Sequence, residues 1–158
     1  MTANLQGMTA VLLPGTGSDD DYIRAGAKIV KTAKEVFEQA DMIVKVKEPQ
    51  PAETAMLRKD QILFTYLHLA PDEAQTRDLM ASGAVCIAYE TITGPGGGLP
   101  LLAPMSEVAG RLAIEAAAFA SRGFAGGRGL LMGGVPGVAP ARIVVLGGGV
   151  VGTQAARM

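Results

Sequence analysis

The chain has 158 residues, a formal charge of −1 with no basic block, and 49% apolar side chains. That sizes it for one domain, or one and part of a second, and argues against nucleic acid or an anionic membrane as partner. With aromatics at only 4% and no Trp, the core must be built from Ala, Val, Leu, Ile and Met.

In chain order, Val11 to Leu13 predicts a short strand stopped by Pro14-Gly15-Thr16-Gly17. Ser18 then caps a short helix with Asp19, Asp20 and Asp21 in its first turn, where the helix dipole favours acids. That helix stops near Gly26, and Lys31 to Ala40 predicts a second, ended by Asp41. Met42 to Val46 reads as a strand, followed by the proline-stiffened loop Lys47-Glu-Pro-Gln-Pro51. Ala52 to Arg58 is a run of good helix formers, and Gln61 to Leu67 a β-type run. Pro71-Asp72-Glu73 opens a helix running to about Ser82, with Gly83 as its stop and a third strand over Ala84 to Tyr89.

After the loop Thr93 to Pro100 the composition shifts, which places a domain boundary near residues 100–104, dividing the chain into 1–103 and 104–158. Met105 to Ser121 predicts a long helix, with Ser106 at its cap. Val108, Leu112, Ala116 and Phe119 form its apolar stripe, and Glu107, Arg111 and Glu115 a charge ladder. Gly126 to Pro140 reads as a hairpin or tight double turn, Ile143 to Leu146 as a compact buried strand, and Gly147 onward as a glycine turn into a helix that reaches Met158. The fold class is therefore α/β: a flavodoxin- or Rossmann-like parallel-sheet domain, incomplete, followed by the start of a Rossmann dinucleotide-binding domain.

Two groups of residues carry chemistry. Lys47, His68 and Glu90 each follow a strand-like run at a spacing of about 21 residues, as strand–helix–strand repeats produce. Parallel strands bring all three to the carboxyl edge of one sheet, where open α/β folds bind ligands. His68 alone is as readily a structural histidine, and Lys47 alone a solvated loop charge. Together, a cation and an imidazole suit an α-keto or α-amino acid, one holding an oxygen and the other exchanging a proton. Glu90 is either a third polar group of the site or a cap for the next turn. Gly147-x-Gly149-x-x-Gly152 follows a β-branched run and opens a helix, the context of a dinucleotide fingerprint. Its alternative is a glycine-rich turn with no nucleotide, and it does not choose NAD over NADP.

Other functions find no support. The single cysteine, Cys86, excludes an internal disulfide, fits a reducing, cytoplasmic compartment and, inside a strand, reads as an inert core residue. No histidine–cysteine cluster marks a metal site and no Gly-x-Ser-x-Gly elbow marks a hydrolase. No apolar run approaches the roughly 18 residues of a membrane helix. Met1 to Gly7 has neither the basic start nor the apolar core of a secretory signal.

Several segments resemble bacterial alanine dehydrogenases: Val44-Lys-Val-Lys-Glu-Pro49, Gln61-Ile-Leu-Phe-Thr-Tyr-Leu-His-Leu-Ala70, Ala88-Tyr-Glu-Thr91, Leu99-Pro-Leu-Leu-Ala-Pro-Met-Ser-Glu-Val-Ala-Gly-Arg111 and Met132-Gly-Gly-Val-Pro-Gly137. The glycine loop that follows joins them, and the likeness covers about residues 18–158. Proton-pumping transhydrogenase subunits share that loop. The resemblance implies reversible, NAD-dependent oxidative deamination of L-alanine to pyruvate and ammonia by a homo-oligomer, a hexamer in the family. It makes Lys47 the substrate-binding lysine and His68 the catalytic histidine. It sets Glu90 and Met105 among residues lining the cleft between domains, and gives Gly147, Gly149 and Gly152 to the cofactor phosphates. The family's N-terminal Pro-Lys-Glu segment carries a carboxylate-binding arginine, whereas here the first arginine is Arg24. The ribose-reading acid and a catalytic aspartate of the family fall past Met158. The chain thus reads as a fragment expected to bind NAD weakly or not at all and to be inactive alone. The competing expectations are a non-catalytic partial chain and a transhydrogenase-like nicotinamide nucleotide-binding domain.

Overall fold

The computed structural model describes residues 11–12 and 18–158, so the expected stop at Pro14 to Gly17 lies outside the described residues. The chain divides into two compact units, one through Glu90 and one over Thr91–Met158.

The first unit is built on parallel strands. β1 (Val11–Leu12) pairs with β2 (Lys28–Ile29), a two-residue strand that no sequence pattern announces. Between them lies α1 (Asp19–Arg24), closed by the expected Ser18 cap: the Ser18 hydroxyl accepts from Asp21 N–H, and the Asp21 carboxylate accepts from Ser18. A second sheet holds β3 (Met42–Val44), β4 (Ile62–Thr65) and β5 (Val85–Ala88) side by side in that order. All are parallel, as the spacing predicts, with Val44 opposite Phe64 and Phe64 opposite Ile87. α2 (Ala33–Gln39), α3 (Pro51–Thr54) and α4 (Glu73–Ser82) make the connections. The core gathers Phe37, Ile43, Leu57, Leu63, Leu67 and Leu79, with half-buried Cys86 packed against it.

Several elements are shorter than the sequence predicts: α2, β3 and β4 each lose residues at their ends, and two further boundaries have identifiable causes. The helix expected over residues 52–58 is only the single turn α3, because Arg58 is drawn away: its guanidinium donates to the Phe37 and Ala40 carbonyls, at 3.4 and 2.9 Å. Gln61 Nε2 reaches the same two carbonyls at 2.9 and 2.7 Å, closing the end of α2. The third strand stops at Ala88, and Tyr89–Thr91 is a 3₁₀ turn. Gly83 ends α4 in the left-handed conformation, φ +68°, as expected.

In the second unit, α5 (Ala103–Ala120) begins two residues before the predicted start, on Pro104 in its first turn. Ser106 is therefore inside the helix and not its cap. The predicted stripe is also on the wrong side: Val108, Leu112 and Phe119 are 57, 53 and 58% exposed. The packed side runs instead along buried Gly110 and half-buried Ile114 and Ala118. A side chain at Gly110 would stand 2.3 Å from the Val151 carbonyl oxygen, so its absence lets α6 (Val150–Arg157) approach. Arg111 leaves the expected ladder and donates to Met158 Sδ at 3.9 Å. The double turn expected before Pro140 is present as an antiparallel bridge between Val135 and Val138, with mutual bonds of 3.0 and 2.8 Å.

Ile143 to Leu146 is not a buried strand. These residues are 51, 80, 38 and 94% exposed, and among the described residues none pairs with them. A β-branched run supplies the propensity, but a strand needs a ladder partner. No helix of the described residues is long and apolar enough to cross a membrane.

Candidate active site

β4 ends by being tied down from both sides. The Leu67 side chain is buried, 1% exposed. Its carbonyl accepts from Gln75 Nε2 at 2.6 Å, and its N–H donates to the Glu90 carboxylate at 3.1 and 3.3 Å. The next residue, His68, takes φ +47°, a left-handed conformation that costs an L residue other than glycine. Its N–H donates to Glu90 Oε1 at 2.8 Å. The chain thus turns sharply out of the sheet and leaves the imidazole 57% exposed.

Lys47 is positioned from its backbone. Its carbonyl accepts from Thr65 Oγ1 at 2.8 Å, and the preceding Val46 carbonyl from the Tyr89 hydroxyl at 2.8 Å. Burial first, then the Glu90 and Glu48 carboxylates, push the Tyr89 phenol up. Beside this strand end, the Lys45–Glu53 ion pair and the Gln50 N–H to Glu53 bond (2.7 Å) fasten the proline loop to α3.

Glu48, which the sequence reading did not single out, joins the two groups. Its Oε2 lies 3.1 Å from Lys47 Nζ and its Oε1 3.8 Å from His68 Nδ1. Lys47 Nζ also stands 5.7 Å from the Tyr66 ring centre, and that ring 5.6 Å from the imidazole. The structure therefore brings Lys47 and His68 to one place at the carboxyl edge. Glu90 is there too, but its carboxylate is turned to backbone amides. The hint available in the sequence was the Lys-Glu pair ahead of Pro49, a loop too stiff for its side chains to scatter. Glu48 and His68 are also on the wall of a cleft of about 470 Å³, with Thr54, Gln75 and Asp78.

The Glu48 carboxyl is held below its ordinary value, first by its own backbone N–H and then by Lys47 and His68, against an opposing cost of burial. A carboxylate depressed in the folded state stabilises the fold above its ordinary value, and that contribution is lost as pH falls through the lower, folded one. Denaturant titrations over a pH series are expected to show less acid destabilisation in Glu48→Gln than in the parent.

In the second unit, the glycine turn has the properties its fingerprint requires. Gly147 has φ +99°, and a Cβ on Gly149 would meet nothing within 4 Å. One on Gly152 would stand 1.9 Å from the Gly147 carbonyl oxygen. Gly149 is the N-cap of α6, with no side-chain hydrogen bond closing the helix end. The residues fit a dinucleotide pyrophosphate: a backbone open at Gly149, a positive φ at Gly147, and no room for a side chain at Gly152. Met105 is in the first turn of α5, 38% exposed.

Comparison with known proteins decides the family. The family model described as alanine dehydrogenase/PNT, N-terminal domain, matches residues 14–109. The chain belongs to the alanine dehydrogenase/PNT family. The corresponding C-terminal domain model matches residues 113–158. An alanine dehydrogenase of Halomonas elongata is 58% identical over 141 residues, which are 89% of this chain and 38% of that relative. A solved L-alanine dehydrogenase superposes with a TM-score of 0.77 at 53% identity, over 90% of this chain and 39% of that one. A transhydrogenase from Sinorhizobium meliloti is less similar: TM-score 0.65, 27% identity, 90% of this chain and 43% of that one. The chain thus spans about two fifths of the length of these family members.

Proposed function

We propose that the protein serves the NAD-dependent interconversion of L-alanine and pyruvate. L-Alanine, NAD and water give pyruvate, ammonium, NADH and a proton. The observation that carries this reading is the meeting of an ammonium and an imidazole, from separate crossover units, on one carboxylate at the sheet's carboxyl edge. The relatives' names supply the substrate, and the greater likeness to alanine dehydrogenases than to the transhydrogenase favours it.

In this reading Lys47 holds the carboxylate or keto oxygen of the substrate, which competes with Glu48 for the ammonium. His68 exchanges a proton as the carbinolamine forms or breaks down. Glu90, with its carboxylate on the Leu67 and His68 amides, supports the His68 end of the site. Gly147, Gly149 and Gly152 hold the cofactor pyrophosphate, and the bound dinucleotide supplies the two-electron redox chemistry. Functionally, residues 1–103 serve the substrate and 104–158 the cofactor. Homo-oligomeric assembly and a cytoplasmic location belong to the same proposal.

Because His68 is the only histidine, its ring resonances report the site without assignment. Pyruvate titrated into the chain is expected to shift them saturably, and acetate is not. Equal responses to both, or none to pyruvate, would overturn the substrate class. Redox turnover is read separately, as NADH oxidation that needs pyruvate and ammonium together. Hydride exchange between two nicotinamides without either would favour the transhydrogenase-like reading.

A further inference from the structure

The geometry points to Glu90 as the positioning residue of His68, acting through its backbone and not through its ring. This rests on the reading of His68 as the proton-exchanging group. The carboxylate comes from the turn after β5 and reaches across to the end of β4, 22 and 23 residues earlier in the chain. There it accepts two successive backbone N–H groups, Leu67 at 3.1 and 3.3 Å and His68 at 2.8 Å. An ionised acceptor shared by adjacent amides requires those amides to point the same way. In an extended strand they alternate in direction. Their common direction is set at Leu67, and the left-handed φ of +47° at His68 follows directly on the second of these bonds, where the chain turns.

The consequence is directional. Had β4 continued as a strand, residue 68 would follow the alternation of Leu63, Thr65 and Leu67, which are buried, and Ile62, Phe64 and Tyr66, which are half-buried. Past the turn, the imidazole lies beside the Tyr66 ring and 3.8 Å from the Glu48 carboxylate that also holds Lys47. Leu67 is anchored independently, by its buried side chain and the Gln75 bond. Glu90 therefore has one specific task, the conformation of the residue that follows.

Nuclear magnetic resonance of the whole chain tests this directly. A positive φ brings the His68 amide and α protons close, giving a strong intraresidue Overhauser effect. Downfield amide shifts for Leu67 and His68 report the carboxylate. In Glu90→Ala that effect is expected to weaken to the level of its extended neighbours, with both amides moving upfield. Glu90→Gln, which keeps one acceptor oxygen and serves if the alanine variant fails to fold, is expected to retain part of each signal. Pyruvate affinity is expected to fall about tenfold in Glu90→Ala, as misplacement of one group in a preorganised site does. Unchanged His68 conformation in both variants would overturn the assignment. The Overhauser measurement needs no ligand, so its failure is distinct from a failure of the parent chain to bind pyruvate, which would sink the substrate reading alone.

Discussion

Replacing Lys47 by alanine is expected to weaken pyruvate binding by roughly 30- to 150-fold while leaving the fold intact. The first half follows from the loss of a charge-assisted bond to a carboxylate, worth about 2–3 kcal/mol. The second follows from where the ammonium sits. It is on a side chain 75% exposed, and its pair with Glu48 is of the kind that contributes about 0–1 kcal/mol to stability. What the fold uses at this position is the Lys47 carbonyl, held by Thr65 Oγ1, and alanine keeps it. Isothermal titration with pyruvate and thermal denaturation separate the two effects. A large fall in thermal midpoint, or unchanged affinity, would remove Lys47 from the site. Lys47→Arg keeps the charge but exchanges a point cation for a planar fork, and is expected to recover only part of the binding.

Gly152→Ala is expected to have the largest effect on stability. The local backbone tolerates alanine, because Gly152 is not among the glycines with positive φ. The obstacle is steric. The new Cβ would stand 1.9 Å from the Gly147 carbonyl oxygen and 3.0 Å from its carbon, both backbone, so the turn must open. Overpacking against atoms that cannot rotate away costs about 3 kcal/mol, enough to melt the second unit well before the first. Gly149→Ala is the complementary test. It meets no atom within 4 Å and has φ −71°, so only the helix-cap preference is lost, at most about 1 kcal/mol. It does, however, fill the space a pyrophosphate would occupy. In circular dichroism, Gly152→Ala is expected to melt early and Gly149→Ala near the parent. In NADH fluorescence titrations, whatever binding the parent shows is expected to be lost in both. Equal melting of the two variants would contradict this account of the turn.

The sequence was most legible where the physics is local. Ser18 with Asp21, Asp72 ahead of Glu73, and Gly83 after Ser82 mark helix ends through bonds or dihedral angles confined to a few residues. The row of Lys47, His68 and Glu90 was legible because parallel crossovers convert equal spacing into a common edge. Partners distant in sequence were not legible. Arg58 shortens α3 by reaching carbonyls 18 and 21 residues back. The wide apolar surface of α5 offered two sides for packing, and Gly110, invisible to a hydrophobic pattern, decided between them. Ile143 to Leu146 has strand propensity without a strand to lie against. The left-handed turn at His68 had no local signal at all, since the carboxylate that holds it comes from Glu90.

The shared site is tested most directly by intermolecular Overhauser effects from the methyl group of ¹³C-labelled pyruvate in the protein complex. Transfer is expected both to the His68 ring protons and to the Lys47 side-chain methylenes next to the ammonium. Transfer confined to residues remote from both would contradict it.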